Sequence, residues 1–177
     1  MEYALSGELH PSELLGEQNG GRGFGQTSPD LGIEVRLKNE KAGLLCIENK
    51  LVEHSCMDIK TVLDDVQGVC HQFKWGRKYW EILESVINQE AILMLKRCPA
   101  ATARYQLFRQ QALCEGIIRK SRFEKVWSCV AFDERNDTLI HSLRSTGIDD
   151  FRTGWGKLFR GKAQFKTFTH QSWALWI

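Results

Sequence analysis

From Gly32 onward apolar and charged positions alternate. Ile33, Val35 and Leu37 are apolar, and Glu34, Arg36 and Lys38 between them are charged. That period of two predicts a strand with one buried face. Asn39 to Gly43 reads as a turn and residues 44–51 as a second strand, and the short glycine-containing connection predicts a hairpin. The period then changes to that of a helix. Ile59, Val62, Leu63 and Val66 mark a helix over 57–69, and Trp80, Leu83, Ile87, Ala91 and Met94 one over 78–97. A third, over 101–119, runs through Tyr105, Phe108, Ala112 and Leu113. Residues 126–132 form an apolar run closed by Asp133-Glu134-Arg135-Asn136-Asp137, the pattern of a buried strand.

At the ends the pattern is weaker. Residues 2–9 fit a short strand, and residues 16–28 hold five glycines and read as a loop. That loop lacks the GK[ST] ending of a phosphate-binding P-loop. From about 138 an extension follows, with a helix near 138–145, a strand at 163–169 and an aromatic tail containing Trp173 and Trp176. The order predicts an α/β domain over 1–177, a mixed sheet flanked by helices.

Composition narrows this only a little. Apolar residues are 42% of the 177 and charged residues 26%, an ordinary globular mixture. No apolar run reaches the roughly 20 residues needed to cross a bilayer, and no secretory signal pattern is visible, so a cytoplasmic protein is expected. Six cysteines lie at 46, 56, 70, 98, 114 and 129 with no CxxC pair. Reduced core thiols are the simple reading; a metal site using some of Cys56, Cys70, Cys98 and Cys114 is the alternative, without a compact ligand spacing.

The net charge of +2 is unevenly spread: residues 1–99 carry 11 Lys/Arg against 15 Asp/Glu, and residues 100–177 carry 13 against 7. A basic half beside an acidic half suits a protein that attracts phosphates and also binds a cation, although surface solvation alone gives the same imbalance.

One constellation carries chemistry. Pro29-Asp30 stands at the entrance of the first hairpin strand and Glu48-Asn49-Lys50 at the end of its partner. In a strand Glu48 and Lys50 share a face with Cys46, while Leu45, Ile47 and Leu51 take the other, expected to be the core face. Asp30 and Glu48 can hold Mg²⁺ (or Mn²⁺) through oxygen, with the Asn49 backbone carbonyl as a further ligand. Lys50 can orient or deprotonate a water and neutralise charge on a phosphate. An ordinary Glu48–Lys50 ion pair is the bland reading. A Ser-His-Asp site has no nucleophile elbow, and Cys-His pairs from His54 and Cys56 or from Cys70 and His71 are sequence neighbours with unfavourable geometry. Trp75, Tyr79, Trp80, Trp127 and Trp155 fall in amphipathic elements and read as core.

Residues 28–35 (Ser-Pro-Asp-Leu-Gly-Ile-Glu-Val) and 43–51 (Gly-Leu-Leu-Cys-Ile-Glu-Asn-Lys-Leu) together resemble the signature of the PD-(D/E)xK restriction-endonuclease-like nucleases. The resemblance is sharp over 28–51 and extends in layout to about 132. It implies a mixed sheet flanked by helices, Asp30 and Glu48 as metal ligands, Lys50 as the catalytic lysine, and magnesium-dependent cleavage of nucleic acid, with DNA as substrate and a homodimer as one assembly. A fold of this kind that has lost turnover, kept as a DNA-binding or protein-interaction module, is the rival. Residues 103–110 are similar to a helix that follows the core hairpin in a bacterial subgroup of such proteins. Gln106, Arg109 and Gln110 share a face of it and could meet nucleic acid; a solvated face is the alternative. One departure stands out: the family's usual first helix, which often supplies another acidic residue, is not visible, and Glu8, Glu13 and Glu17 are the early acidic candidates.

Overall fold

The computed structural model describes residues 4–17, 26–51, 78–96 and 105–175. Its centre is a four-stranded sheet in the order β1 (Leu31–Arg36), β2 (Ala42–Lys50), β3 (Lys125–Phe132), β4 (Gln164–Thr169). β1 and β2 are antiparallel, with Leu31 opposite Ile47 and Arg36 opposite Ala42. β2 runs parallel to β3, with Cys46 opposite Ser128 and Lys50 opposite Phe132, and β3 runs parallel to β4. The mixed sheet with flanking helices is the α/β class the periodicity predicts. The hairpin is the one expected, but it turns two residues earlier, at 37–41 instead of 39–43: Leu37 N–H donates to Lys41 O and Glu40 N–H to Leu37 O, with Glu40 at a positive φ of 63°.

The α-helices among the described residues are α1 (Pro11–Leu15), α2 (Tyr79–Glu84), α3 (Gln89–Leu93), α4 (Tyr105–Lys120), α5 (Asp137–Ser145), α6 (Phe151–Gly154) and α7 (His170–Ala174). Helix α4 is the long one because Leu107, Phe108, Ala112, Leu113, Cys114 and Ile117 recur at turn spacing and all are buried. Arg119 and Lys120 in its last turn complement the helix dipole. It packs on the sheet beside the hairpin, as its stripe requires.

Three expectations change. Of the stretch 2–9, the described residues 4–9 are not a strand: Gly7–Leu9 form a 3-10 turn that leads into α1, where His10 caps the helix through Ser12 N–H and Pro11 occupies the first turn. A helix therefore does precede the first strand, short and packed on α4. The stretch 78–97 is two short helices rather than one, because Ile87 leaves the helical path to bridge Phe159 and Asn88 N–H donates to Leu158 O. The main core also lies on the other face of β2 from the one expected. Leu44 and Cys46 join Val126, Val130, Phe132 and the helices there. Leu45 and Ile47 join a smaller cluster with Ile33, Trp127, Cys129 and Phe168, and Leu51 is half exposed. Glu48 and Lys50 thus lie on the helix-covered side of the sheet. Tyr79 and Trp155 are buried as read, and Trp80 and Trp127, partly covered, pack against the two clusters. The helix expected over 57–69, Trp75, and the pairs His54–Cys56 and Cys70–His71 lie outside the described residues.

On α4 itself, Glu115 is 1% exposed and accepts a hydrogen bond from Ala163 N–H at 3.0 Å. Burial pushes its carboxyl above the ordinary glutamate value, only partly offset by that N–H and by Arg119. A raised folded value means that the contribution of Glu115 to stability is complete below the unfolded pKa and is lost as pH rises through the folded one. Glu115→Gln stays neutral and keeps an acceptor. Its stability relative to wild type is therefore expected to increase as pH rises through that window, read from urea midpoints at several pH values. A difference independent of pH would contradict the assignment.

Candidate active site

The hairpin brings Asp30 to the end of β2. Leu31 is opposite Ile47, so the next residue back reaches Glu48, and Asp30 Oδ2 accepts the Asn49 N–H at 2.7 Å. Asp30 is exposed, whereas Glu48 is 9% and Lys50 3% exposed. Both point to the helix side, as their i, i+2 spacing requires. Lys50 Nζ lies 2.7 Å from Glu48 Oε1 and donates to Gln106 Oε1 at 2.7 Å. Burial raises the Glu48 carboxyl above its ordinary value; Lys50 pulls it back by charge and hydrogen bond, Asp30 pushes it up, and Arg109 pulls it down. The mutual influence of Asp30, Glu48, Lys50 and Arg109 places four charges around one strand end.

Arg109 is held from behind. Its Nε donates to Thr27 Oγ1 at 2.8 Å and its guanidinium lies 3.3 Å from Glu17 Oε1. Glu17 is 1% exposed and accepts at 2.6 Å from both Thr27 N–H and Thr27 Oγ1–H, and also from Tyr79 O–H. Of the three early acidic residues, Glu17 is thus the one turned inward, and its oxygens are occupied by donors. Glu13 and Glu8 are exposed. The signal for Glu17 in the chain was slight: an acid just past a helix end capped by Gly16 in the left-handed conformation, φ 67°.

Gln106, Arg109 and Gln110 do lie along one face of α4, but they do different things. Gln106 touches Lys50, the charge of Arg109 reaches Glu48 and lowers its carboxyl slightly, and Gln110 is 2% exposed. The amide of Gln110 donates to Cys46 O and Cys129 O, each at 2.9 Å, and so pins α4 to two strands. A second residue that periodicity could not find comes from the C-terminal extension. His170, the first residue of α7, donates from Nε2 to Asn49 Oδ1 at 2.6 Å.

Among the described residues no group of three or more His, Cys, Asp or Glu side chains could hold a metal ion by itself. The donors at the strand end are two carboxylates and the Asn49 backbone, a set that suits Mg²⁺, which keeps several waters and accepts substrate oxygens. The cysteines offer no rival site there. Cys46, Cys114 and Cys129 are free thiols and buried. Burial holds Cys114 well above the ordinary thiol range and pushes Cys129 to about 12, so neither is a thiolate near neutral pH. Cys56, Cys70 and Cys98 are outside the described residues. No helix among the described residues is long and apolar enough to cross a membrane.

Comparison with known proteins adds one match. No curated protein and no solved structure matches the chain. The model of one protein family, described as Restriction Endonuclease associating with ARP, matches residues 13–172, which include the end of α1, the hairpin, α4 and most of α7. The chain belongs to this restriction-endonuclease family.

Proposed function

We propose that the chain is a divalent-metal-dependent nuclease of the PD-(D/E)xK kind, hydrolysing phosphodiester bonds in DNA. The observation that carries the reading is the meeting of Asp30, Glu48 and Lys50 at one strand end, with Lys50 Nζ 2.7 Å from Glu48 Oε1. Family membership supports a nuclease-like role and an interaction with nucleic acid.

In this reading Asp30, Glu48 and the Asn49 carbonyl hold Mg²⁺. When bound, the cation supplies Lewis acidity toward the phosphate and acidifies a water. The residues of the chain do the rest. Asp30 is kept at the strand end by the Asn49 N–H. Burial raises the Glu48 carboxyl and a ligating carboxylate must be ionised, so cation binding would favour higher pH. Lys50, held by Gln106, orients the attacking water and offsets charge as the phosphorus–oxygen ester bond breaks. Arg109, fixed by Glu17 and Thr27, keeps a positive charge beside the site for the phosphate backbone.

One observation favours a module of the same fold without turnover. Lys50 Nζ is already engaged by Glu48 and Gln106, which is also how a structural ion pair looks. Cleavage assays on duplex, single-stranded and junction DNA and on RNA separate the two. A working enzyme hydrolyses with Mg²⁺ or Mn²⁺, stops with EDTA and fails with Ca²⁺, a poorer Lewis acid with looser geometry. Wild-type protein that cleaves none of these and whose melting temperature ignores Mn²⁺ would be a non-catalytic module.

A further inference from the structure

The strand end that carries the proposed site is held on its helix side by Glu48, Lys50 and Gln106. Its opposite side is held as well. Side chains alternate along a strand, so Asn49 points away from Glu48 and Lys50. There its Oδ1 accepts the Nε2–H of His170 at 2.6 Å. The same Asn49 contributes the backbone N–H that fixes Asp30 at 2.7 Å. Three things therefore meet in one residue: a side chain held from one face, an amide holding a carboxylate, and a carbonyl of the proposed cation site.

His170 is itself held firmly. It opens α7 immediately after Thr169, whose Oγ1 accepts Ser172 N–H at 3.0 Å while Ser172 Oγ accepts Thr169 N–H at 3.1 Å, a reciprocal cap. Thr169 Oγ1–H also donates to Glu134 Oε1 at 2.9 Å, and Gln171 Nε2 donates to Asp133 Oδ1 at 2.8 Å. The start of α7 is thus tied to the loop that follows β3. The bond to Asn49 requires the proton on Nε2, and Nδ1 is buried without a hydrogen-bond partner among the described residues. An imidazole with its second nitrogen enclosed in this way is placed to hold a neighbour, not to exchange protons with a water in the site.

We infer that His170 is a positioning residue for the proposed active site, acting through Asn49 to fix the backbone that presents Asp30 and the Asn49 carbonyl to the cation. The inference rests on the nuclease reading for its cation, and two readouts keep the two claims apart. The first is Mn²⁺ affinity, measured by calorimetry on the full chain. His170→Ala is expected to weaken it roughly 10-fold, the scale on which residues behind metal ligands act. His170→Gln, which keeps a nitrogen donor at similar reach, is expected to stay within about 2-fold of wild type on the same scale. Trp173→Ala, on the same helix and packed edge-on against Phe168, is the control for general loosening of α7 and should lower the melting temperature without changing Mn²⁺ affinity. The second readout needs no metal: amide exchange at Asn49 should speed up in His170→Ala and not in His170→Gln. Unchanged exchange at Asn49 in His170→Ala, or equal loss of Mn²⁺ affinity in Trp173→Ala, would overturn the inference. If wild type binds no Mn²⁺, the exchange result alone decides the role of His170, and it is the nuclease reading that fails.

Discussion

Glu17→Ala is expected to destabilise the protein by roughly 3–5 kcal/mol, the usual result of removing one partner of a buried ion pair. The carboxylate is fully enclosed, with a side-chain exposure of 0%, and it is the common acceptor for Arg109, Tyr79, Thr27 N–H and Thr27 Oγ1–H. Its removal takes the Glu17 counter-charge from a guanidinium of only 16% side-chain exposure and the Glu17 acceptor from three further donors. Four separate segments lose their common tie at once: the end of α1, the approach to β1, α2 and α4. For a chain of this length the change corresponds to a fall of roughly 10 °C or more in melting temperature. Glu13→Ala, four positions earlier and exposed, should stay within about 0.5 kcal/mol of wild type. Urea unfolding of both variants checks this, and a Glu17→Ala loss no larger than that of Glu13→Ala would mean the cluster is not an anchor.

The second large effect is a split between the carboxylates and the lysine. Asp30→Ala and Glu48→Ala should each abolish turnover and also remove the rise in melting temperature caused by Mn²⁺, because each deletes a ligand. Lys50→Ala should lower turnover by at least about 100-fold, the scale of a lost electrostatic contact in a transition state, yet keep the Mn²⁺ response. An amine beside a cation is no ligand, and removing it relieves like-charge repulsion and frees Glu48 Oε1. Without metal, Lys50→Ala should also be less stable than wild type, since Glu48 is then buried alone. Metal-induced stabilisation should therefore be at least as large in Lys50→Ala as in wild type. If the pair were only structural, Mn²⁺ would stabilise none of the proteins. Equal turnover in wild type and Lys50→Ala would remove Lys50 from the mechanism. Cleavage rates and thermal shifts on the three variants, with and without Mn²⁺, measure all of this.

The hairpin and the long helix were legible because local pattern dictates them. Alternation from Ile33 to Lys38 and the turn at Asn39 to Gly43 leave one economical pairing, and that pairing sets Asp30 against Glu48. What pattern could not resolve is which side of β2 faces the larger core. Both sides carry apolar residues, Leu44 and Cys46 against Leu45 and Ile47, so the decision belongs to the helices and not to the strand. Family resemblance gave roles to Asp30, Glu48 and Lys50, but not to the residues that hold them. Glu17 and His170 act through contacts of long sequence separation, with Arg109 and Asn49, and no spacing rule reaches across those gaps. The split of residues 78–97 at Ile87 has the same origin, a tertiary bridge to Phe159 that overrides a helical stripe.

The parallel pairing of β2 with β3 also bears on how the molecule assembles. β1 and β2 are joined by a five-residue turn, so the Asp30–Glu48 pair closes a short loop. Lys50 meets Gln106 across 56 residues, and Asn49 meets His170 across 121. Closing those longer loops costs more chain entropy, growing with the logarithm of their length, and contacts of high separation slow folding. The two carboxylates can thus come together early in a local hairpin, while the lysine and asparagine beside them gain their partners only once the chain has folded nearly end to end. Newly made or partly unfolded chains would carry the acidic pair without the framework that directs it, so the geometry proposed for hydrolysis is reserved for the completed fold.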